Sequence, residues 1–302
     1  MTEQATGDIV PILAPVMDAL EALADTTERL TGTGMALAHS PAMRELSEEG
    51  AIANGYFEEP VHAAHSNANI LRFAATDSVR QFARLFRSQP VPVYAHLAVA
   101  RAGLESAALS YWAGARNIGS IARVQRYQAI RLRNCIEMKR SPIPEFKRQA
   151  TRNRAQIRKQ CAKRSWNLIA NSSRIEVGDQ RFPGSGALIK ALLARGSDEP
   201  GLQGLGATAW WQWSGVSHAV NYALIESVDS NNPTPSLLGP NTVPIFTSSR
   251  SVSFQALILG RGYQTLIEEH RQVFGWTNPT WTDANARFIG EARRILSARG
   301  PQ

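Results

Sequence analysis

The sequence predicts an all-α fold: a helical bundle with a long basic helical hairpin and a long Pro/Asn-rich loop between the late helices. Three observations carry the prediction. Alternating apolar and polar residues, the mark of a half-buried strand, are nearly absent from the chain. Apolar residues recur instead at three- and four-residue spacing, the period of an amphipathic helix. The breaks between these stretches fall on proline, glycine and asparagine, which punctuate helices.

Taken in order, residues 9–30 form a first helix, with Pro11 and Pro15 near its start. Residues 41–49 form a short second one, with Ser40 as N-cap and Pro41 at the first position, where a missing N–H costs nothing. Residues 61–87 follow, opened by Pro60 and ended by Gln89-Pro90-Val91-Pro92. A strongly apolar helix occupies 93–115. Residues 118–140 and 144–171 read as a helical pair, broken at Ser141-Pro142-Ile143-Pro144. The segment 174–186 is a loop with a short hairpin around Gly178-Asp179. Helices at 185–195 and 203–229 come next. DSNNPTPSLLGPNTVPIF, 229–246, is the long loop, of a kind often functional in compact domains. Helices at about 250–274 and 280–298 close the chain. Residues 1–55 form an N-terminal helical arm or subdomain and 56–302 the main bundle, although no linker strong enough to force two domains is visible.

Apolar residues make up 43% of the 302 and charged residues 19%, enough apolar material for a packed core and against a disordered chain. The N-terminal stretch carries acidic residues and no basic cluster, unlike a secretory signal. The most apolar segment, LAVARAGLESAALSYWAGA, is interrupted by Arg101 and Glu105, so no spanning helix is expected. Cys135 and Cys161 stand in no metal-binding spacing and read as free thiols, and the expected location is cytoplasmic.

Two helices carry unusual polar groups. On 94–113, Leu97, Leu104, Ala108, Leu109 and Trp112 form one stripe, and Arg101 and Glu105 fall inside it. The opposite face holds only Val99, Ala102, Gly103, Ser106 and Ser110. A helix apolar all round is buried, and its two charges must then be paired, by each other or by a neighbouring helix. On 203–229, in the run WWQWSGVSH, the residues Trp211, Ser214, His218, Asn221 and Tyr222 share a face, with Trp210 and Trp213 to the other side. Ser214 and His218 are four apart and within contact, and histidine is the side chain suited to acid–base work near neutral pH. A core histidine held by its serine fits the same spacing. So does a small-molecule pocket lined by Trp211, Asn221 and Tyr222.

The sequence RFPGSGALIKALLARG…LGATAWWQWSGVSHAVNYAL, together with Arg101-Ala-Gly-Leu104-Glu105-Ser-Ala107, resembles a pattern in uncharacterised bacterial helical proteins. Those read approximately P-S-x-T-x-L, a short helix, and Y-x-x-L-S-x-x-x-H, with R-x-x-L-E-x-A earlier. The set is similar to the HEPN superfamily (higher eukaryotes and prokaryotes nucleotide-binding), and the resemblance covers about residues 90–228. It implies a helical bundle that often forms homodimers, and an activity as a metal-independent ribonuclease in toxin or phage-defence systems, with no cofactor. The family's ribonucleases carry an arginine followed by a histidine after four to six residues on one helix. No arginine stands at that spacing before His218, and no histidine follows Arg133-Asn134. The resemblance therefore implies, at most, a composite catalytic site. In it His218, with Ser214, is the general base on a 2′-hydroxyl, and Arg101, beside Glu105, stabilises the phosphorane charge.

The chain's charge is concentrated. Lys and Arg number 33 against 25 Asp and Glu, a net +8. Residues 131–164 hold twelve basic residues against Glu137 and Glu145, a local surplus of +10 that leaves the remainder slightly acidic. Lys147, Arg148, Arg152, Arg154, Arg158, Lys159, Lys163 and Arg164 are the candidate nucleic-acid contacts, RNA being the expected partner. Only Phe146 and Trp166 interleave them, which argues against a stacking platform for single strands. A solvated projecting helix fits the same composition. His62 and His65 are three residues apart beside Glu58 and Glu59, with no third ligand specified, so no metal is expected.

Overall fold

The computed structural model describes residues 9–30, 36–53, 59–87, 94–171, 173–195, 206, 210–211, 213–215 and 249–297. The fold is all-α. Helices α1 (Ile9–Leu30), α2 (Pro41–Ser47), α3 (Glu49–Ile52), α4 (Pro60–Leu85) and α5 (Ala95–Gly114) lead. The hairpin α6 (Gly119–Arg140) and α7 (Pro144–Lys163) follows. A small antiparallel sheet comes next: β1 (Leu168–Ala170), β2 (Ile175–Val177) and β3 (Gln180–Arg181). Helices α8 (Ser185–Arg195), α9 (Ser249–Phe274) and α10 (Pro279–Ser297) complete the described chain. The expected loop 229–246 and most of the expected helix 203–229 lie outside the described residues.

Boundaries follow local chemistry. Ser40 caps α2 as its sequence predicts, accepting from the Met43 N–H at 3.2 Å, with Pro41 behind it. The expected helix 144–171 is shorter: it stops at Lys163. The chain turns through Ser165, which takes a positive φ of 55°, and Leu168–Ala170 becomes a strand. The reason is pairing. Leu168, Ile169 and Ala170 meet Val177, Glu176 and Ile175 in antiparallel register, which gives these backbone groups partners off the helix axis. The hairpin expected at Gly178-Asp179 forms between β2 and β3, and Gly178 takes the left-handed conformation (φ 58°) that the turn requires.

Two cores result. The main one joins Leu13, Leu20 and Leu23 of α1, Phe82 of α4, Leu104 of α5, Ile189 of α8, Tyr263 and Leu266 of α9, and Phe288 of α10, with Trp213 buried among them. Helix α1 thus belongs to the same core as α4, α5 and α9. Along the α1–α4 seam, Arg80 pairs with Asp25 (3.0 Å) and Glu28 (2.8 Å), Arg84 with Glu21 (2.8 Å) and Arg87 with Asp18 (2.6 Å). Pairs with at least one partner open to water add modest stability, but they match an acidic α1 to a basic α4. A second core lies within the hairpin and sheet: Ala129, Leu132, Cys135, Ala150, Ile157, Cys161, Ile175 and Val177. Small residues there let α6 and α7 approach closely. Trp112 packs against both cores, and Arg126 donates to its carbonyl at 2.6 Å and to Gln180 at 2.7 Å.

Ionic groups lie inside the bundle. Arg123 of α6 is 1% exposed and forks onto Glu45 of α2, Nε to Oε2 at 2.5 Å and Nη2 to Oε1 at 2.9 Å. Its remaining protons reach the Ala113 and Ala115 carbonyls at the end of α5, both at 3.1 Å. His65 of α4 stands 3.0 Å from Glu45. Burial pushes the Glu45 carboxyl up, but hydrogen bonds from Arg123 and His65 outweigh it and hold it at about 2. Burial pushes His65 down, which outweighs the Glu45 carboxylate, so the ring is neutral and its Nε2–H donates. Nearby, fully buried His270 is pushed down to about 3 by burial and by Arg72, and its Nε2 meets the Ser110 hydroxyl at 3.3 Å. Gly114 makes room for that ring: a Cβ there would lie 2.6 Å from His270 Nε2.

Two outcomes follow. Arg123→Met leaves a buried carboxylate with only a neutral partner, and urea denaturation is expected to show a loss of about 3–5 kcal/mol. Acid acts in the same direction. The unfolded chain protonates its histidines near 6.5 and Glu45 near 4.5, while the folded values are near 3 for His270 and near 2 for Glu45. The unfolded state therefore binds more protons throughout that range, and stability measured by denaturant titration falls as pH drops from about 6.5 toward 2. Glu45→Gln is expected to flatten the part below 4.5.

Candidate functional site

Helix α5 carries Arg101 and Glu105 one turn apart. It is largely enclosed, but not all round as its sequence predicts: Ala95, Ala98 and Ala102 are exposed. Arg101 and Glu105 sit at the edge of the enclosed surface, their side chains 18% and 32% exposed. Arg101 Nε donates to Glu105 Oε1 at 3.0 Å. A second donor converges on that same oxygen: the Trp210 indole N–H, also at 3.0 Å. The tryptophan run therefore does meet Arg101 and Glu105 across the bundle, but through Trp210.

The run divides by environment. Trp213 is buried in the main core. Trp210 lies half-buried over the first turn of α8, where Gly186 leaves space for its ring: a Cβ there would stand 3.3 Å from Trp210 Cζ3. Trp211 is 56% exposed and Ser214 half-buried. His218, Asn221 and Tyr222 lie outside the described residues. Of the expected catalytic set, Arg101 and Glu105 are thus brought together and Ser214 is on the described surface of the run. The sequence sets Trp210 on the other side of its helix: a partly buried indole N–H needs an acceptor, but nothing in the sequence says which carboxylate it meets.

Beside Glu105 runs a cleft of about 400 Å³, between α5, α6, the β2–β3 hairpin and the start of α8. Leu71, Leu109, Ile175, Phe182 and Leu188 make its apolar walls, and Glu105, Arg133 and Arg174 are its charged groups. Arg133 is drawn to Glu137 (2.9 Å) and Arg174 to Glu176 (Nε at 3.0 Å). With every charged side chain engaged, the cleft offers hydrogen bonding and apolar contact.

The basic hairpin is a second candidate. Helix α7 buries a single narrow stripe, Ala150, Ile157, Gln160 and Cys161. Lys147, Arg148, Arg152, Arg158, Lys159 and Lys163 are exposed around the rest, while Arg154 and Arg164 are half-buried. Three local contacts turn inward. Arg154 Nη2 donates to the Ala170 carbonyl at 2.9 Å and ties α7 to β1. Arg131 of α6 reaches Gln156 at 3.2 Å, and Gln128 donates to Gln160 at 3.2 Å. The hairpin's two acids are both occupied, Glu137 by Arg133 and Arg140, Glu145 by Arg148. The exposed cations consequently add to a field of one sign. Cys135 and Cys161 are free and buried, and burial pushes the Cys161 thiol up to about 11, which makes it unreactive.

Among the described residues no group of three or more His, Cys, Asp or Glu is placed to hold a metal ion, and no helix is long and apolar enough to cross a membrane. His65, one of the two histidines at three-residue spacing, is turned into the Glu45–Arg123 network. Compared with protein-family models, curated proteins and solved structures, the chain matches none of them.

If Glu105 joins α5 to the tryptophan run, removing its carboxylate and removing the indole N–H are not independent changes. Glu105→Ala and Trp210→Phe are each expected to cost on the order of 1–2 kcal/mol. The double variant is expected to cost less than their sum, with a coupling of at least about 0.5 kcal/mol in a denaturation cycle.

Proposed function

We propose that this chain is an RNA-binding helical protein of HEPN-like type, and that the α6–α7 hairpin makes the contact through the phosphate backbone. The observation that carries the reading is the exposed, single-signed face of α7, which presents Lys147, Arg148, Arg152, Arg158, Lys159 and Lys163 while both hairpin carboxylates are engaged. Backbone contact of this kind is sequence-tolerant and strongly salt-dependent. Aromatic side chains are sparse on the hairpin, so duplex or structured RNA suits it better than stacking of a single strand. The resemblance adds the biological setting, a cytoplasmic homodimer acting as a toxin or phage-defence effector. It also adds an enzymatic form, in which Arg101, Glu105, Ser214 and His218 cleave the bound RNA without metal.

A second reading is favoured by the geometry at Glu105. One carboxylate oxygen takes both Arg101 and Trp210, as a group does that fixes how two segments pack. On this reading the chain is a non-catalytic helical interaction or regulatory protein.

Electrophoretic mobility shift with RNA and DNA separates the two. Replacing Lys147, Arg152, Arg158 and Lys163 together by Gln is expected to weaken RNA binding at least about tenfold at roughly 100 mM salt. The same change is expected to flatten the dependence of log K on log salt, by about 0.7–0.9 for each phosphate no longer neutralised. Unchanged affinity would sink the RNA reading. His218→Ala and Arg101→Ala are each expected to abolish any RNA cleavage the wild type shows. Cleavage that persists in both removes the composite site and leaves binding alone.

A further inference from the structure

The hairpin's charges are not all alike. A shallow cleft of about 320 Å³ opens between the end of α6 and the middle of α7, lined by Lys139, Thr151, Arg154, Ala155 and Arg158. Three of its five residues are cations and none is acidic. Neither carboxylate of the hairpin reaches them: Glu137 is held by Arg133 and Arg140, and Glu145 by Arg148. Three like charges gathered on two facing helices repel one another, and no carboxylate lines the cleft to offset it.

Arg154 is fixed in place. Its Nη2 is held by the Ala170 carbonyl at 2.9 Å, while its Nε is buried and makes no hydrogen bond. A buried N–H without an acceptor is costly and rare, so it calls for an anion oxygen or an ordered water. Thr151 donates its hydroxyl to the Lys147 carbonyl at 3.0 Å. Arg158 and Lys139 are exposed and reach in from either side. A planar guanidinium held from behind, a second guanidinium and an ammonium form the donor set that binds a phosphoryl group.

We propose that the Lys139/Arg154/Arg158 cleft is a discrete phosphate-binding subsite. Within the RNA-binding reading, on which this identification of the ligand rests, it seats a phosphodiester of the backbone and fixes the register of the hairpin on it. The remaining cations of α7 supply diffuse attraction, and this cleft supplies a defined position.

Inorganic pyrophosphate is the probe for the subsite and a short duplex RNA the probe for the function, each titrated against the full chain by calorimetry and fluorescence anisotropy. Arg158 is the residue to change, because it is exposed and no hydrogen bond or ion pair among the described residues holds it. Arg158→Gln is expected to weaken pyrophosphate at least about tenfold and to lower the RNA salt slope by about one. Arg158→Lys keeps the charge but loses the planar fork, so it is expected to weaken pyrophosphate several-fold and leave the RNA salt slope unchanged. Arg287→Gln, an exposed cation of α10, is expected to leave pyrophosphate binding as it was. If pyrophosphate does not bind the wild type, or binds Arg158→Gln equally well, or is weakened as much by Arg287→Gln, the subsite is overturned even where RNA binds. If pyrophosphate behaves as expected and RNA does not bind, the subsite stands and the RNA reading falls.

Discussion

The bidentate pair between Arg123 and Glu45 holds the bundle in one arrangement. It joins α2 to α6, and through the Ala113 and Ala115 carbonyls it also fixes the end of α5. Glu45 in turn receives His65 of α4. Three helices therefore meet at one carboxylate, and the guanidinium ties in the end of a fourth. Two charges removed from water are expensive, and the cost is offset here by the bidentate geometry and by the further hydrogen bonds that Arg123 and Glu45 make. The value of such a pair lies in what it forbids. Sliding α6 by one turn would strand a guanidinium and a carboxylate in apolar surroundings, so few alternative packings survive.

That constraint places both candidate sites. With α6 anchored by Arg123, its outer face points away from the bundle, and α7 folds back on it through a core of alanine, cysteine and short aliphatic residues. The cations of α7 are left on the outside. With the end of α5 fixed, Arg101 and Glu105 come to the rim of the main core, where Trp210 arrives from the far side of the sequence. The ring of Trp210 is seated because Gly186 at the start of α8 has no side chain.

Much of the architecture was legible in the sequence. Ser40-Pro41 marks a helix start, the prolines at 142 and 144 mark a break, and Gly178 marks a turn, because each of these residues has one strongly preferred backbone role. The strand at Leu168–Ala170 was not legible. Three residues are too few for a period, and they form a strand only because Ile175–Val177 pairs with them. The buried network was illegible for a related reason. Glu45, His65, Arg123 and His270 are widely separated in the chain and sit in stretches that read as ordinary amphipathic helix. Nothing in their spacing says that they converge. Arg101 and Glu105 could be found because both lie on one helix with no other charge, and Trp210 could not be assigned to them without knowing which side of its own helix faces α5.

The hairpin's separate core has a thermodynamic side. Helices α6 and α7 with the sheet enclose their own apolar cluster, and Trp112 with Arg126, Arg123 with Glu45, and the packing of Val124 and Ile130 on α4 join it to the rest of the chain. The stability of such a unit is set in part by its own apolar cluster, against the mutual repulsion of its cations. An anion that binds the folded hairpin and not the unfolded chain stabilises the fold by mass action, the more so the higher its concentration stands above its dissociation constant. The ionic composition of the surroundings thus becomes a variable of the fold itself.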